Sequence, residues 1–346
     1  MLFEHISFKN HEKIIHAQDA KTGLKAIIAI HSTKAGPAAG GTRFYDYADS
    51  DAALTDVLRL SYGMTLKNIM AGLKVGGGKS VIIGDPKTIK TPELMASFAK
   101  AINDIGGQYY CAEDVGTSVE DMELVRKHTK FVAGLCTGEH ASGDPSPFTA
   151  LGVFIGIKAS AKTKFGSDNL SGMRIAVLGL GHVGYDLATQ LHKAGAKLLV
   201  ADINVSVLEK AKIELNAEII DVDKIAYADV DIFAPCAMGA IITDHLAQNI
   251  KAKVIAGAAN NQLATPSVGE ILTQNNILYA PDFVINAGGI INVENEILGN
   301  YNRANNLDKM ATIGTTLLEI YEKSAADNLP TDKVAEQIAL ERVAAL

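Results

Sequence analysis

The chain has 346 residues, 48% of them hydrophobic and 21% charged, which is typical of a globular protein whose length favours two domains. Its formal net charge is −7 and it has no basic run, which excludes the charge pattern of nucleic-acid binding. No apolar run reaches the ~18 residues of a membrane span and the N-terminus lacks a signal-peptide pattern, so we expect a cytoplasmic protein without a membrane partner.

The three cysteines, Cys111, Cys136 and Cys236, are far apart and form no CxxC pair. Their odd number and their spacing match neither a disulfide framework nor a zinc site, which indicates a reducing compartment. The sequence therefore predicts neither a disulfide nor a metal centre.

The first predicted elements are a strand and a glycine-rich loop. Residues 25–31 form a β-branched run that predicts a strand. Residues 36–43 are too rich in glycine and proline for the interior of an element, which predicts a loop. This loop could be an ordinary connection or a backbone surface that lies against a small ligand.

A long helix with a lysine near its end is predicted next. Residues 51–71 carry apolar side chains close to helical spacing, and Lys67 falls in the last turns. Three residues could cap the start of this helix, namely Asp49, Ser50 and Asp51.

A second lysine, Lys79, follows three glycines. Residues 76–78 predict a glycine loop that can pass close to a ligand, and residues 81–83 predict a buried strand beside it. Most lysines are solvated surface residues. A lysine held at a strand end by a glycine loop can instead be partly desolvated, which suits it to general acid–base chemistry.

The first half of the chain ends with an aspartate beside a strand and a candidate hinge. Residues 92–105 predict a helix, and residues 108–111 predict a strand. Asp114 follows this strand and precedes a predicted helix at residues 118–127, so it could be a helix-capping or solvated carboxylate. Glycine, serine, aspartate and proline cluster at residues 137–147, which we predict to be a hinge.

The second half of the chain alternates strands and helices. A helix is predicted at residues 149–163, and strands are predicted at residues 174–178, 197–201, 231–234, 254–256 and 277–279. Such alternation is typical of a doubly wound parallel sheet. We therefore predict an α/β protein with an N-terminal α/β domain, a C-terminal Rossmann domain and a cleft between them. Residues 311–346 predict a helical segment that could pack back on the first domain.

A dinucleotide-binding motif, G-L-G-H-V-G, lies at residues 179–184. It follows a strand, opens a helix that stops at Gly195, and precedes Asp202 by 18 positions. In such motifs the glycines allow a tight turn, the helix N-terminus binds the pyrophosphate and the acidic residue binds the ribose hydroxyls. Since no arginine follows Asp202 to meet a 2′-phosphate, NAD is favoured over NADP. The predicted cofactor residues here are Gly179, Gly181, His182, Val183, Gly184, Asp202 and Ile203.

Two further segments of small residues follow strand-like stretches. They lie at residues 257–262 and 286–292, where doubly wound sheets bind ligands. Asparagines in turns are commonly structural, so composition alone leaves a ligand contact at these segments open.

Seven motifs lie in order along most of the chain. They are G-P-A-A-G-G-T-R at residues 36–43, G-M-T-L-K-N at 63–68, G-G-G-K-S at 76–80, A-E-D-V-G-T at 112–117, G-D-P-S-P at 143–147, G-A-A-N-N-Q at 257–262 and P-D-F-V-I-N-A-G-G at 281–289. Together they resemble the glutamate/leucine/phenylalanine/valine dehydrogenase family, and among its branches most closely the leucine-specific one.

The resemblance implies reversible oxidative deamination of an L-amino acid to a 2-oxo acid and ammonia, with hydride transfer to NAD. It implies that Lys67 binds the substrate α-carboxylate, that Lys79 is the general base and that Asp114 handles protons on the amino group. A lysine supplies the fixed cation that a carboxylate needs, and closure of two domains would exclude water from hydride transfer. Because these motifs occur together, we no longer favour the interpretation of the two lysines as solvated surface residues.

The resemblance also implies which residues line the two binding sites. The substrate site would comprise Ala39, Gly40, Gly41, Met64, Ala112, Ile290 and Val293. Beyond the glycine motif, the cofactor site would comprise Thr149, Cys236, Ala237, Asn260, Asn261 and Asn286.

The predicted side-chain pocket is apolar, which argues against glutamate because its second carboxylate would be buried without a partner. We predict leucine, isoleucine and valine as substrates, since Ile290 and Val293 narrow the pocket. Phenylalanine is the alternative, because some phenylalanine-specific members have a small residue at the position of Ala39. One methylene changes the binding free energy by only ~1–3 kcal/mol in such a pocket, so the pocket residues alone leave both substrate classes open.

Two other classes of function compete with this prediction. One is a catalytically silent NAD-binding sensor that uses the same cleft. The other is a 2-hydroxy acid dehydrogenase, which usually needs a histidine paired with a carboxylate. Residues 63–80, which carry the two lysines and the triple glycine, contain no histidine.

The resemblance also implies a domain division and an assembly. Residues 1–136 would form the substrate and oligomerisation domain, residues 137–324 would form the NAD-binding domain, and a helix at about 325–346 would pack back on the first. Relatives are homo-oligomers, often octamers. The chain ends without much of the C-terminal tail seen in many of them, so a smaller homo-oligomer is plausible.

Overall fold

The computed structural model describes residue 5 and residues 7–138, 140–237 and 239–346. The chain divides into two compact units, and it first passes from unit 1 to unit 2 between Asp144 and Pro145. Unit 1 comprises Met1–Asp144, Asn292–Arg303 and Ala339–Leu346, and unit 2 comprises Pro145–Ile291 and Ala304–Ile338. Among the described residues, no helix combines the length and the apolar character needed to span a membrane.

Unit 1 contains a five-stranded sheet with the order β1-β2-β4-β3-β5. Its strands are β1 (Lys13–Asp19), β2 (Leu24–Ser32), β3 (Ala38–Tyr45), β4 (Gly76–Ile83) and β5 (Tyr109–Glu113). Strand β2 runs antiparallel to β1 and β4, whereas β3 runs parallel to both β4 and β5. The sequence predicted β2, β5 and the end of β4 at residues 81–83. It did not predict β1, whose side chains are largely half-exposed and carry a weak apolar signal.

Helices cover both faces of this sheet. In the first 144 residues they are α1 (Ser50–Met70), α2 (Pro86–Ile89), α3 (Pro92–Asp104) and α4 (Val119–Arg126). One face packs through a core that includes Val57 of α1 and Val81 of β4, and the other through a core that includes Phe44 and Phe98. Asp49 caps α1 by accepting a hydrogen bond from Ala52 N at 2.8 Å. The three long helices predicted in this region are confirmed.

The two glycine-rich segments, predicted to be loops, form inner strands instead. Residues 76–78 open β4, and residues 36–43 enter β3 from Ala38 onward. A Cβ atom on Gly77 would clash with Thr65, so the missing side chain lets α1 lie directly on β4. The loop predictions were wrong because glycine serves close packing of the helix here rather than a turn.

Unit 2 contains a six-stranded parallel sheet with the order β11-β10-β9-β6-β7-β8. Its strands are β6 (Arg174–Leu178), β7 (Lys197–Ala201), β8 (Glu218–Ile219), β9 (Ile232–Pro235), β10 (Val254–Ile255) and β11 (Leu278–Tyr279). The chain continues from β6 to β7 on one side and later to β9 on the other, so the strand order reverses at β6. This confirms the doubly wound Rossmann fold and places its ligand-binding switch point at the carboxyl end of β6.

The remaining helices begin at Ser146 and continue to the end of the chain. They are α5 (Ser146–Phe165), α6 (His182–Lys193), α7 (Val205–Leu215), α8 (Asp244–Asn249), α9 (Val268–Gln274), α10 (Asp282–Ile285), α11 (Gly288–Ile297), α12 (Arg303–Asp327) and α13 (Thr331–Ala344). The predicted C-terminal helical segment is two helices, because Asn328 has a left-handed φ of 51° and Pro330 follows it. In unit 1, Val343 O accepts a hydrogen bond from Lys34 Nζ at 3.1 Å.

Candidate functional site

Two predicted catalytic residues, Lys79 and Asp114, form an ion pair in unit 1. Lys79 lies on β4 and Asp114 directly follows β5, so the strand β3 runs between them. The Lys79 ammonium contacts Oδ2 of Asp114, and Lys79 is only 6% exposed. The sheet thus places a buried cation and a carboxylate where they can exchange a proton.

Gly41 of β3 leaves the space in which this pair meets. A Cβ atom on Gly41 would lie 2.8 Å from Asp114 Cβ and 3.1 Å from Lys79 Nζ. Any other residue at this position would push the two side chains away from the sheet. Gly41 therefore has a steric role that follows directly from the geometry of three neighbouring strands.

The carboxyl group of Asp114 is held in its ionised form. Burial by itself raises its pKa, but the positive charges of Lys79 and Arg43 outweigh burial and lower the pKa to about 2. Asp114 is therefore a carboxylate at neutral pH, a form that can accept a hydrogen bond or a proton from an ammonium group.

Arg43 belongs to this cluster, although it is not among the site residues predicted from the sequence. Its Nε atom lies 3.5 Å from Asp114 Oδ2, and its Nη1 atom lies 2.9 Å from Asp56 Oδ2. Tyr47 donates a hydrogen bond of 2.6 Å to the same oxygen of Asp56. The sequence feature that could have assigned Arg43 to the site is the period-two alternation of a strand. Once residues 38–45 are recognised as a strand, this alternation puts residue 43 on the same face of β3 as Gly41.

The predicted carboxylate-binding residue, Lys67, lies in the last turn of α1, the helix that packs on β4. It is half-buried, and cations are favoured at a helix C-terminus by the helix dipole. Met64, one turn earlier, packs against β3, since a Cβ atom on Gly40 would lie 3.3 Å from its Cγ. Both residues therefore lie on the helix that covers the sheet of unit 1.

The structure places most of the predicted substrate pocket in unit 1. Ala39 lies on β3 with Gly40 and Gly41, and Ala112 of β5 pairs with Gly41. Val293 of α11 is also part of unit 1 and is 6% exposed. Ile290 belongs to unit 2, so its place in the substrate pocket stays a prediction.

The predicted cofactor loop connects β6 to α6 in unit 2. Gly179 has a left-handed φ of 94°, and a Cβ atom on it would lie 2.8 Å from Ala237 Cβ. A Cβ atom on Gly184 would clash with Gly179 O and lie 3.2 Å from Cys236 Cβ. Gly181 caps α6 and has open space where its Cβ would be. His182 and Val183 begin the helix after it.

Asp202 at the end of β7 fixes this loop. Its Oδ2 accepts a hydrogen bond of 2.6 Å from Leu180 N, and its Oδ1 accepts one of 2.8 Å from Asn204 N. Each carboxylate oxygen has a further lone pair, so the side chain can still accept hydrogen bonds from ribose hydroxyls. Ile203 beside it is 91% exposed. An exposed apolar side chain at this position offers a surface that the flat base of a dinucleotide would cover.

A second group of predicted cofactor residues lies elsewhere in unit 2. Asn286 donates hydrogen bonds to Ala258 O at 3.0 Å and to Asn260 Oδ1 at 2.9 Å. Its own Oδ1 is buried without a hydrogen-bond partner, which leaves an acceptor for a donor from a ligand such as a carboxamide. Asn261 has a left-handed φ of 50°. Thr149 donates to Pro145 O at 3.1 Å.

These observations fit a dinucleotide in three independent respects. The glycine loop is open at the N-terminus of α6, where a pyrophosphate binds. The carboxylate of Asp202 is available at the adjacent strand end, and the buried Asn286 Oδ1 lacks a partner.

Comparison with known proteins matches this description. The model of the Glu/Leu/Phe/Val dehydrogenase dimerisation domain matches residues 10–131, and that of glutamate/leucine/phenylalanine/valine dehydrogenase matches residues 200–346. A leucine dehydrogenase of Thermoactinomyces intermedius is 46% identical, over 99% of this chain and 93% of that protein. A phenylalanine dehydrogenase of Lysinibacillus sphaericus is 44% identical, over 95% and 87% of the two chains.

A solved structure also matches over nearly its whole length. The crystal structure of L-tryptophan dehydrogenase from Nostoc punctiforme superposes with a TM-score of 0.86 at 39% identity, covering 99% of this chain and 98% of that one. The family resemblance and the α/β fold predicted from the sequence are therefore confirmed. The protein is an amino acid dehydrogenase, and the chain belongs to the glutamate/leucine/phenylalanine/valine dehydrogenase family.

Proposed function

We propose that this protein catalyses the NAD-dependent, reversible oxidative deamination of leucine, and also of isoleucine and valine, to the 2-oxo acid and ammonia. The observation that carries the proposal is the contact, above Gly41, between the buried Lys79 and the half-buried Asp114. A base and a carboxylate in contact are what the two proton transfers of this reaction require. Leucine is placed first because proteins named leucine dehydrogenase are 46–47% identical over nearly the full chain.

The chain's own residues divide the chemistry. Lys67 binds the substrate α-carboxylate, which orients the amino group toward the Lys79–Asp114 pair. Asp114 accepts a proton from the α-ammonium group, so that the nitrogen lone pair can form the imine. Lys79 acts in its neutral form, after its ammonium has lost a proton to solvent, and takes a proton from water as the water oxygen attacks the imine carbon. Return of that proton to nitrogen and transfer of the hydroxyl proton to Lys79 break the C–N bond, which releases ammonia and the 2-oxo acid. NAD, when bound, supplies the acceptor for the hydride that leaves Cα.

The cofactor proposal rests on unit 2. The N-terminus of α6 at Gly181 would hold the pyrophosphate, and Asp202 would accept hydrogen bonds from the ribose hydroxyls. Asn286 and its partner Asn260 would contact the nicotinamide half. The negative charge of Asp202 and the absence of a following arginine favour NAD over NADP.

The two units would carry separate tasks. We propose that unit 1 is the substrate and oligomerisation domain and that unit 2 is the NAD-binding domain. The family model that matches residues 10–131 describes a dimerisation domain, which supports a homo-oligomer assembled through unit 1. The cytoplasmic location expected from the sequence remains a prediction.

A substrate panel tests the proposed function. Purified protein is incubated with each of the apolar L-amino acids and with L-glutamate, in the presence of NAD⁺ or NADP⁺, and the reduced cofactor is measured by absorbance. We expect the highest kcat/KM for leucine, isoleucine and valine with NAD⁺. A higher value for phenylalanine would replace the substrate proposal with the aromatic alternative.

The reverse reaction separates the other classes of function. With a branched 2-oxo acid and NADH, turnover should require ammonia. Turnover without ammonia would instead identify a 2-hydroxy acid dehydrogenase. NAD binding without turnover of any amino acid would identify a silent sensor, and either result would overturn the proposed function.

A further inference from the structure

The catalytic pair is part of a larger charge cluster in which Arg43 connects two carboxylates. Residue 43 follows Gly41 by two positions on β3, so its side chain lies on the same face as the Lys79–Asp114 pair. Its Nε faces Asp114 at 3.5 Å, and its Nη1 contacts Asp56 of α1 at 2.9 Å. The guanidinium thus extends between α1 and the residue that follows β5.

Asp56 holds the far side of the guanidinium. It is fixed in turn by the Tyr47 hydroxyl, which donates to it at 2.6 Å. The side chains of Arg43 and Asp56 are 24% and 26% exposed, so their charges are only partly screened by water. This arrangement keeps the Arg43 charge in a defined position beside Asp114.

The backbone around Asp114 is held by other contacts. Phe44 N donates to Val115 O at 2.8 Å, and the Thr117 hydroxyl donates to Thr42 O at 2.9 Å. These bonds fix the loop after β5 to β3 without any contribution from the Arg43 side chain. The effect of Arg43 is therefore on the Asp114 carboxylate rather than on the course of the chain.

The contact between Arg43 and Asp114 is an ion pair without a hydrogen bond. Arg43 Nε is buried and makes no hydrogen bond, so it attracts the carboxylate but leaves its lone pairs available. Other titratable groups near the pair include Tyr47 and Tyr109. Burial raises the pKa of both hydroxyls, so they stay neutral and the charges of Arg43 and Asp56 dominate.

We propose that Arg43 is a positioning residue that orients Asp114 toward Lys79 and maintains a fixed positive charge beside this proton-transferring pair. The negative charge of Asp56 partly offsets the electrostatic effect of Arg43 on the pair. This inference rests on the proposed function. A nearby positive charge favours the deprotonated form of the pair, and a nearby negative charge favours the protonated form. Arg43 and Asp56 therefore act on proton transfer with opposite signs.

The test compares four variants across pH with the preferred amino acid and NAD⁺. In Arg43→Gln the positive charge is lost and Asp114 is less well oriented, so we expect kcat to fall by up to about 100-fold. The acid limb of the kcat profile should move about 0.5–1 pH unit upward. In Asp56→Asn the opposing charge is lost, so the acid limb should move downward. Arg43→Lys should keep the wild-type position of the limb at reduced kcat.

The control is Arg59→Gln, which removes the same charge from an exposed position of α1, and its profile should match that of the wild type. Because Arg43 does not bind the substrate α-carboxylate in this proposal, KM should change less than kcat. An upward shift of the acid limb in Arg43→Gln together with a downward shift in Asp56→Asn would support the inference. If Arg43 had only a structural role, the acid limb would stay at the same pH in both variants.

The outcomes separate this inference from the proposed function. An active wild type whose acid limb stays in place in both variants, or shifts in one direction in both, would overturn the role of Arg43 and leave the proposed function intact. A wild type that turns over no amino acid would overturn the proposed function, and the role of Arg43 would fall with it. If Arg43→Gln does not fold, Arg43→Lys and Asp56→Asn decide the question.

Discussion

Gly41 lies directly under the side chain of Lys79, and a Cβ atom on this glycine would come within 3.1 Å of the lysine ammonium. The same atom would lie 2.7 Å from Glu113 O, which is backbone and cannot easily move. The contact between Lys79 and Asp114 therefore depends on the absence of a side chain on the strand between them.

The first prediction concerns this glycine. Gly41→Ala should destabilise the protein by about 1–3 kcal/mol through overpacking and should displace Lys79 and Asp114. We expect kcat to fall by up to about 100-fold, because a misplacement of about 1 Å can cost that much. Steady-state kinetics and denaturant unfolding check both parts. Wild-type kcat in a folded Gly41→Ala variant would contradict the steric role of Gly41.

The second prediction concerns the general base. Lys79→Ala should lower kcat about 100- to 10,000-fold, the usual range for loss of a positioned acid–base group. NAD binding, measured by calorimetry, should persist because the predicted cofactor residues are in unit 2. Lys25→Ala, which removes an exposed lysine from the adjacent strand β2, is the matched control. Equal activity of the two variants would exclude Lys79 as the base.

The third prediction separates cofactor binding from folding at two glycines of one loop. Gly181 has open space around its missing side chain, whereas a Cβ atom on Gly184 would clash with Gly179 O. Gly181→Ala should therefore leave stability nearly unchanged but raise KM for NAD⁺, because the new methyl group would occupy the path of the pyrophosphate.

Gly184→Ala serves as the contrast, since it should lower the Tm as well. Thermal unfolding and NAD⁺ titration of both variants check these expectations. An unchanged KM for NAD⁺ in Gly181→Ala would argue that the pyrophosphate does not approach this residue.

The fourth prediction follows from the ionisation of Asp114. Its pKa is lowered from the ordinary 3.8 to about 2, so the folded state binds fewer protons than the unfolded state between these values. The stabilisation is present in full above about pH 4 and is lost as pH falls through 2, and its size is about 2 kcal/mol.

Asp114→Asn should therefore unfold more easily than the wild type at pH 7, and the difference should shrink as pH falls below 4. Urea unfolding of both proteins over this pH range checks the sign. A difference that does not depend on pH would show that Asp114 stabilises the fold by packing alone.

The sequence by itself determined the Rossmann half closely. Strands β6 and β7 have the predicted bounds, and α6 ends before Gly195, whose φ is 83°. These features are local, because a short apolar run, a glycine turn and a helix-ending glycine each act over a few neighbouring residues. The catalytic roles of Lys79 and Asp114 came instead from the family resemblance, because the local patterns alone also fitted a surface lysine and a helix-capping or solvated carboxylate.

The tertiary structure alone decided how unit 1 is built. Glycine-rich residues 36–43 and 76–78 are typical of loops, yet they enter strands because α1 must lie on β4 and the Lys79–Asp114 pair must lie above Gly41. Arg43 joins the site only once β3 exists, since its direction depends on the strand alternation. Steric space between elements that are distant in sequence is a property of the folded chain, and no local pattern contains it.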